Sequence, residues 1–406
     1  MKFDLLTIDN LGKLGRGRSR NRPRDDQSLY GGIYPFVQTG DIKNAPFYIT
    51  SYSQTYNEKG LSQSKLWKRG TLCITIAANI ADTAILAIDA CFPDSILGFT
   101  SYKEKSNTKF VKYCFDVYKT TLEAISKGTT QDNLSLDKLR KVKFRIPPLP
   151  VQHKIAAVLS AYDDLIENNN RHIAILEKMA EELYREWFVR LRFPGYEKVK
   201  IIKGVPEGWE VKRIRQVIKF EKGKNPDILG DEKTYDNDVY LDVDAIENGK
   251  YQYAPKSKSI ICEKDETLML MDGARSSVVF NGQQGIISST FAVVRTEKKY
   301  RAMLHEYFKA NLEAMASNNT GSAIPHANKE FIIRMCIKLP LNEKLIEKFN
   351  DQYRVLFLEK HNLKKKNTIL AKSRDRLLSR LMSGKIDVEH LDIQSPPSMK
   401  EEEASA

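Results

Sequence analysis

The sequence repeats itself at one long interval. Around Gly128 it reads KGTTQDNLSLDKLRKVKFRIPPLP, and around Gly321 it reads NTGSAIPHANKEFIIRMCIKLPLN. Gly128 and Gly321 lie 193 residues apart, as do Pro147 and Pro340. Solenoid repeats run roughly 20–50 residues, so this interval predicts two similar domains, each followed by its own helix. Earlier segments pair at larger offsets. TIDNLGKLGRGRS matches KRIRQVIKFEKGKN (Gly17 with Gly223), and PFVQTGDIKN matches VYLDVDAIENG (Ile42 with Ile246). LWKRGTLCITIAA matches ICEKDETLMLMDGA, and SILGFTSY matches ISSTFAVV with Phe99 opposite Phe291. Most of these segments alternate apolar and polar residues or carry apolar runs after a turn, which predicts strands. The offset drifts from 206 to 193 between matched elements, where changes of loop length are tolerated. FVKYCFDVYKTTLEAISKG reads as a helix stopped by Gly128, with MLHEYFKANLEAMASNNTG as its counterpart.

After Pro147 and Pro148 the period changes. Ile155, Leu159, Tyr162, Ile166, Ile173, Leu176, Leu183 and Trp187 recur mostly at helical steps. Ile346, Phe349, Tyr353, Leu356, Leu363, Leu370, Leu377 and Leu381 do the same after Pro340, with Gly384 as a stop. Asn168–Asn170 weaken the middle of the first stripe, but its period resumes in register, which favours one continuous helix. Two matching seams predict a pair of long helices. The expected fold is α+β: two similar domains with mixed, curved β-sheets, separated by two long helices forming an antiparallel coiled coil. The expected division is 1–146, a helical spacer 147–193, 194–340, a second spacer 341–386 and a flexible tail 387–406.

Composition narrows the function. The 406 residues carry a net charge of +13 and a pI near 9.2, which favours a polyanionic partner. No run approaches the ~20 apolar residues of a membrane span. Asp4 and Asp9 interrupt any signal-like start, so a cytoplasmic protein is expected. Cys73, Cys91, Cys114, Cys262 and Cys336 lie far apart and read as reduced core residues. The six histidines show no ligand spacing, so no metal site is expected. There is no phosphate loop and no N-P-P-Y or D-P-P-Y motif. Pro226-Asp227 followed by Asp231-Glu232-Lys233 imitates a nuclease motif, but the gap cannot span two strands. The chain is therefore expected to do no covalent chemistry.

Four regions fit nucleic acid. Lys13, Arg16, Arg18, Arg20, Arg22 and Arg24 form an acid-free basic stretch. Read as a flexible loop, it could follow a phosphate backbone; a solvated loop without a partner is the other reading. Its counterpart is less basic, with Lys222 and Lys224. After the first Gly loop come Thr129, Thr130, Gln131 and Asn133; around the second stand Asn319, Ser322 and His326. These side chains suit base edges or phosphates, and equally the capping of helices. Arg275 and Ser276 follow an apolar segment in DGARSSVV, with Asn79 in the matching place of the first copy. Arg275 suits guanine or solvent. The basic last helix, from His361 to Arg380, suits DNA or an acidic partner.

These residues resemble the specificity subunit of type I restriction–modification enzymes. The resemblance rests on the duplicated layout, on VPEGWEVKRI (Val205–Ile214), and on the two Gly loops, the first leading into IPPLPVQHKI. It rests also on LYREWFVRLRFPG and the closing LLSRLMSGKIDV. The first domain lacks the P-x-G-W opening, and LPLNEKLIEKF replaces a Pro-Pro-Gln pattern in the second copy. The resemblance implies that each domain reads one half of a bipartite duplex DNA target and that the helices set the unread gap. It implies two modification (methyltransferase) subunits and two restriction (translocase/nuclease) subunits as partners. It places S-adenosylmethionine in the modification subunit and ATP and Mg in the restriction subunit, with no cofactor on this chain. The alternatives are a stand-alone nucleic-acid-binding protein and a coiled-coil interaction protein without enzyme partners.

Overall fold

The computed structural model describes residues 2–127, 133–257, 259–396 and 399. It forms two compact units: Met1–Arg171 with Leu363–Ala406, and His172–Asn362.

In unit 1 a five-stranded sheet runs in the order Gly12–Arg16, Ile96–Ser101, Leu72–Thr75, Thr83–Leu86, Tyr48–Ile49. The last pair is parallel and the others antiparallel, so the sheet is mixed. A four-stranded sheet orders Gln54–Tyr56, Tyr30–Phe36, Ala90–Cys91 and Leu66–Trp67. The helix Thr108–Ser126 opens on Asn107, whose side chain accepts from the Phe110 amide at 3.0 Å. It buries Phe110, Tyr113 and Phe115 in a core shared with Leu14, Leu72, Ile74 and Phe99.

Unit 2 repeats the plan. One sheet orders Lys219–Lys222, Phe291–Arg295, Thr267–Leu270 and Val279–Asn281; another orders Gln252–Pro255, Asn237–Leu241, Gly285–Ile287 and Ile261–Cys262. The repeat holds at the level of single pairs. Asp4 faces Ile146 in unit 1, and Glu210 faces Leu339 in unit 2. Arg16 faces Leu97, and Lys222 faces Ala292. Ser135 caps the helix Leu136–Lys141, and Asn328 caps Lys329–Arg334.

The structure corrects four details. The pairing sets Phe99 with Val294 and Phe291 with Ile96, because Leu14 faces Phe99 where Phe220 faces Val294. Both strands are buried over their first four residues, so no alternation was available to fix their register. Ile42 and Ile246 sit on short helices, Thr39–Asn44 and Val243–Asn248, not on strands. Asp41 and Asp242 close those helix starts by accepting the amides of Gln38 and Ala245. The counterpart of Thr108–Ser126 is broken into Arg301–Ala310 and Leu312–Ser317. At the break, the Asn311 amide side chain donates to the Tyr307 carbonyl at 2.8 Å. Finally, Cys336 is exposed, while the other four cysteines are buried.

The two long helices are Leu149–Tyr184 and Glu343–Met382. The first is unbroken through Asn168–Asn170 and ends in a π-helical turn, Arg185–Val189. Within unit 1, Arg374 contacts Asp163, Asn169 donates to Asn367 at 2.7 Å, and Asn367 donates to Asn170 at 2.8 Å. Within unit 2, Lys360 lies 3.5 Å from Glu177, and the rings of Trp187 and Phe349 are 5.7 Å apart. In both units rising numbers on one helix meet falling numbers on the other, so the helices pair antiparallel. The asparagines that weaken the stripe are held by the partner helix, as polar groups at a helix seam can be.

Candidate nucleic-acid interface

The basic stretch of unit 1 is not a loop throughout. Gly12–Arg16 is an edge strand. Its glycines are there for packing: a Cβ on Gly15 would come within 2.8 Å of the Trp67 ring, and one on the neighbouring Gly98 within 2.6 Å. Trp67 in turn stacks on Phe92 at 5.0 Å. The strand leaves Lys13 and Arg16 exposed, while Arg18 is half-buried. Arg16 donates to the Asp94 carbonyl at 2.6 Å. Arg24 pairs with the Asp94 carboxylate at 2.6 Å, and Arg22 lies 3.8 Å from it. Arg22 also donates to the carbonyls of Ser19 and Asn21, so this end of the stretch is folded around Asp94. Arg20 stays exposed, although its amide donates to Gln63 at 2.5 Å.

Asn79 lies in the turn after Leu72–Thr75, where its carbonyl accepts from the Thr75 hydroxyl. Asn133 is half-buried, and its Oδ1 has no hydrogen-bond partner among the described residues. Thr129, Thr130 and Gln131 lie outside the described residues.

Unit 2 draws its candidates together. The Lys222 Nζ lies 2.9 Å from Asp272 Oδ2, and His326 Nδ1 lies 2.7 Å from Asp272 Oδ1. The segment carrying His326 runs beside the end of the sheet: Gly273 N bonds Pro325 O, and Ala327 N bonds Met271 O. A carboxylate only accepts, so Asp272 sets the proton on Nδ1 and leaves Nε2 of a neutral ring as an acceptor. Burial pushes the Asp272 carboxyl up, but the hydrogen bonds from Lys222 and His326 outweigh it and hold the group below the usual range. Arg275 forks onto Glu247 at 2.6 and 2.9 Å, which raises its already high basicity. Ser276 is buried and accepts from Asn319 at 2.8 Å, while Ser277 donates to Asn319 at 2.8 Å. Those two candidates therefore brace the turn that presents Arg275. Ser322 and Lys224 are exposed.

The sequence reading missed Asp272 and Glu247. Asp272 had a usable signal, an acid closing the apolar run LMLM directly before Gly273. Glu247 had none, because its meeting with Arg275 depends on tertiary structure. Chemically, the cluster offers cations and a fixed imidazole toward solvent. Among the described residues no group of three or more His, Cys, Asp or Glu is placed to hold a metal, and no helix is long and apolar enough to cross a membrane.

The family model for the type I restriction modification DNA specificity domain matches residues 2–178 and again 206–376. The chain is similar to the type I restriction enzyme MjaIX specificity subunit of Methanocaldococcus jannaschii, 26% identical over 427 aligned positions covering 96% of this chain and 94% of that protein. It is 31% identical over 195 residues to the MjaVIII specificity subunit of the same organism, covering 43% of this chain and 46% of that protein. Its fold is similar to the crystal structure of the type I restriction–modification system S subunit from M. genitalium, with a TM-score of 0.56 and 17% identity over 94% of this chain and 96% of that one.

Proposed function

We infer the function from family and charge together: the chain belongs to the type I restriction–modification DNA specificity family, and it acts as the sequence-reading subunit of such an enzyme. Each repeat reads one half of a bipartite duplex target. The paired helices set the gap between the halves and, with the domains, dock two methyltransferase and two restriction subunits. Chemistry belongs to those partners: S-adenosylmethionine serves the modification subunit, ATP and Mg the restriction subunit, and this chain takes no cofactor. The site of action is the cytoplasm of a prokaryotic cell. The functional division is 1–146 and 194–340 for reading, 147–193 and 341–386 for spacing, and 387–406 as a tail.

The observation that carries this reading is the double family match, once per repeat, on a chain of net charge +13. Two copies with equivalent strand registers but different exposed side chains suit a two-part, asymmetric target. Cations such as Lys13 and Lys224 give sequence-independent attraction to phosphate, and exposed polar side chains such as Ser322 and His326 serve base edges.

The deciding experiment is methylome sequencing of a host strain with and without the gene. The expected result is one bipartite adenine mark, present only with the gene. Marks that persist unchanged without it would refute the reading. A purified chain that binds no duplex DNA would favour the coiled-coil interaction protein instead.

A further inference from the structure

We propose that both repeats read bases through one equivalent three-position cluster, filled by Arg16, Ala77 and Asn133 in unit 1 and by Lys222, Asp272 and His326 in unit 2. The proposal rests on the function inferred above and assigns the residues that make the two half-sites differ.

The equivalence comes from backbone hydrogen bonds, not from sequence matching. Arg16 and Lys222 occupy the same place on their edge strands, opposite Leu97 and Ala292. Ile76 N bonds Ser95 O at 3.0 Å, and Met271 N bonds Thr290 O at 2.7 Å. Leu134 N then bonds Ile76 O at 3.1 Å, and Ala327 N bonds Met271 O at 2.8 Å. Ala77 and Asp272 therefore follow the same bonded residue, and Asn133 and His326 precede the same one. One residue past that bond, Ser135 and Asn328 cap equivalent helices. The main chain is held alike on both sides of the cluster while its side chains change.

The chemistry differs in a way that bases would register. In unit 2 Asp272 holds the His326 ring, whose side chain is 49% exposed, and Lys222 stands beside the same carboxylate. A fixed ring with Nε2 free can accept from an exocyclic amine, and the lysine suits guanine or phosphate. In unit 1 alanine replaces the carboxylate, and Asn133 brings an amide, which matches adenine bidentately. Its Oδ1 is shut off from solvent and lacks a partner among the described residues, so the amide must turn outward to pair with a base. Arg16 replaces the lysine with a fork that suits guanine. A purely structural role for the second cluster is a poor fit. Its three side chains are 43%, 25% and 49% exposed, and exposed ion pairs contribute little to stability.

The test is the full chain carrying K222R, D272A and H326N, which installs the unit 1 chemistry in unit 2. It is expressed with its methylating partner subunits, and the methylome is sequenced. The expected result is a change at one or two base pairs in one half of the mark, with discrimination there altered on the order of tenfold. The other half and the gap stay as they were. Identical marks, or changes in both halves, overturn the proposal. If the variant leaves no marks, the purified full chain is checked by circular dichroism and used to select duplexes from a randomised pool. A folded variant that recovers the wild-type half-site overturns the proposal, and one that recovers an altered half-site supports it. The reciprocal variant A77D/N133H, which must alter only the opposite half, decides the case if the triple variant does not fold. A wild-type chain that leaves no bipartite mark defeats the family-level reading instead, and the pool selection then judges the cluster by itself.

Discussion

Removing Asp163 should loosen unit 1 by about 3 kcal/mol, and removing Arg374 with it should recover much of that loss. Asp163 is 3% exposed. It accepts from the Tyr113 hydroxyl at 2.5 Å and from the Arg374 guanidinium on the opposite helix. Breaking a buried ion pair from one side costs roughly 3–5 kcal/mol. The lower end applies, because the Arg374 side chain is 22% exposed and keeps Asp375 at 2.8 Å. Asp163→Leu and Arg374→Met should thus each cost about 3 kcal/mol, since each strands the other charge. Together they leave only the Tyr113 hydroxyl without its acceptor, a penalty of about 1–3 kcal/mol. The double variant should fall short of the sum of the singles by about 3–5 kcal/mol, and adding Tyr113→Phe should bring it within ~1 kcal/mol of wild type. pH separates the two singles. Burial pushes the Asp163 carboxyl up although Arg374 draws it down. A carboxyl raised in the folded state favours the fold at low pH and costs stability as pH climbs above the unfolded value near 3.9. Without the arginine, Arg374→Met should therefore be less stable at pH 8 than at pH 5, with no such slope in the double variant. Hydrogen exchange of the Thr108–Ser126 amides, which include Tyr113, reports this locally. Fully additive costs, or a loss below ~1 kcal/mol for Asp163→Leu, would refute the coupling.

Other outcomes are equally open to measurement. Gly15→Val should displace Trp67 and destabilise unit 1 by about 1–3 kcal/mol through overpacking, read as a lowered thermal midpoint; an unchanged midpoint refutes the packing role of that glycine. Buried His305, with its ring nitrogens on Thr267 and Asn281 at 3.2 and 3.1 Å, is pushed down to about 3 by burial. Its neutral form favours the fold above the unfolded value near 6.5, so that stability drains as pH falls from there toward about 3. His305→Gln should flatten the pH dependence of unit 2 unfolding in urea between pH 7 and 4. Glu247→Gln should free Arg275 and tighten duplex binding measured by fluorescence anisotropy; weaker binding would show that Arg275 works only while paired. Lys13→Ala should lower the slope of log affinity against log salt by about one, with no change in the preferred sequence.

The sequence carried the architecture wherever burial leaves a periodic trace. The helical seams were legible from Ile155 to Leu381, since one face of each helix must be apolar whatever domain it serves. Strand register was legible only where burial alternates. Lys143–Ile146 alternates exposed and buried, and its offset of 193 from the equivalent strand survives into the structure. Ile96–Ser101 and Phe291–Arg295 do not alternate, and matching phenylalanines misled the pairing. Glycine misled differently: in GKLGRGRS it marks room for the Trp67 ring, a cause lying 52 residues beyond Gly15 and invisible to local reading.

The candidate interface was legible as residue types but not as partnerships. Arg275 was visible and Glu247 was not. His326 was visible, but Asp272, which aims it, belongs to a strand end 54 residues earlier. The difference follows from how such a surface works. A core position is constrained by volume and polarity, both of which leave a periodic trace. A reading position is constrained by a ligand outside the chain and by one or two side chains that orient it, and these leave no period at all. The equivalence of Asn133 with His326 therefore emerges only when the hydrogen-bonded frame on either side is used as the ruler.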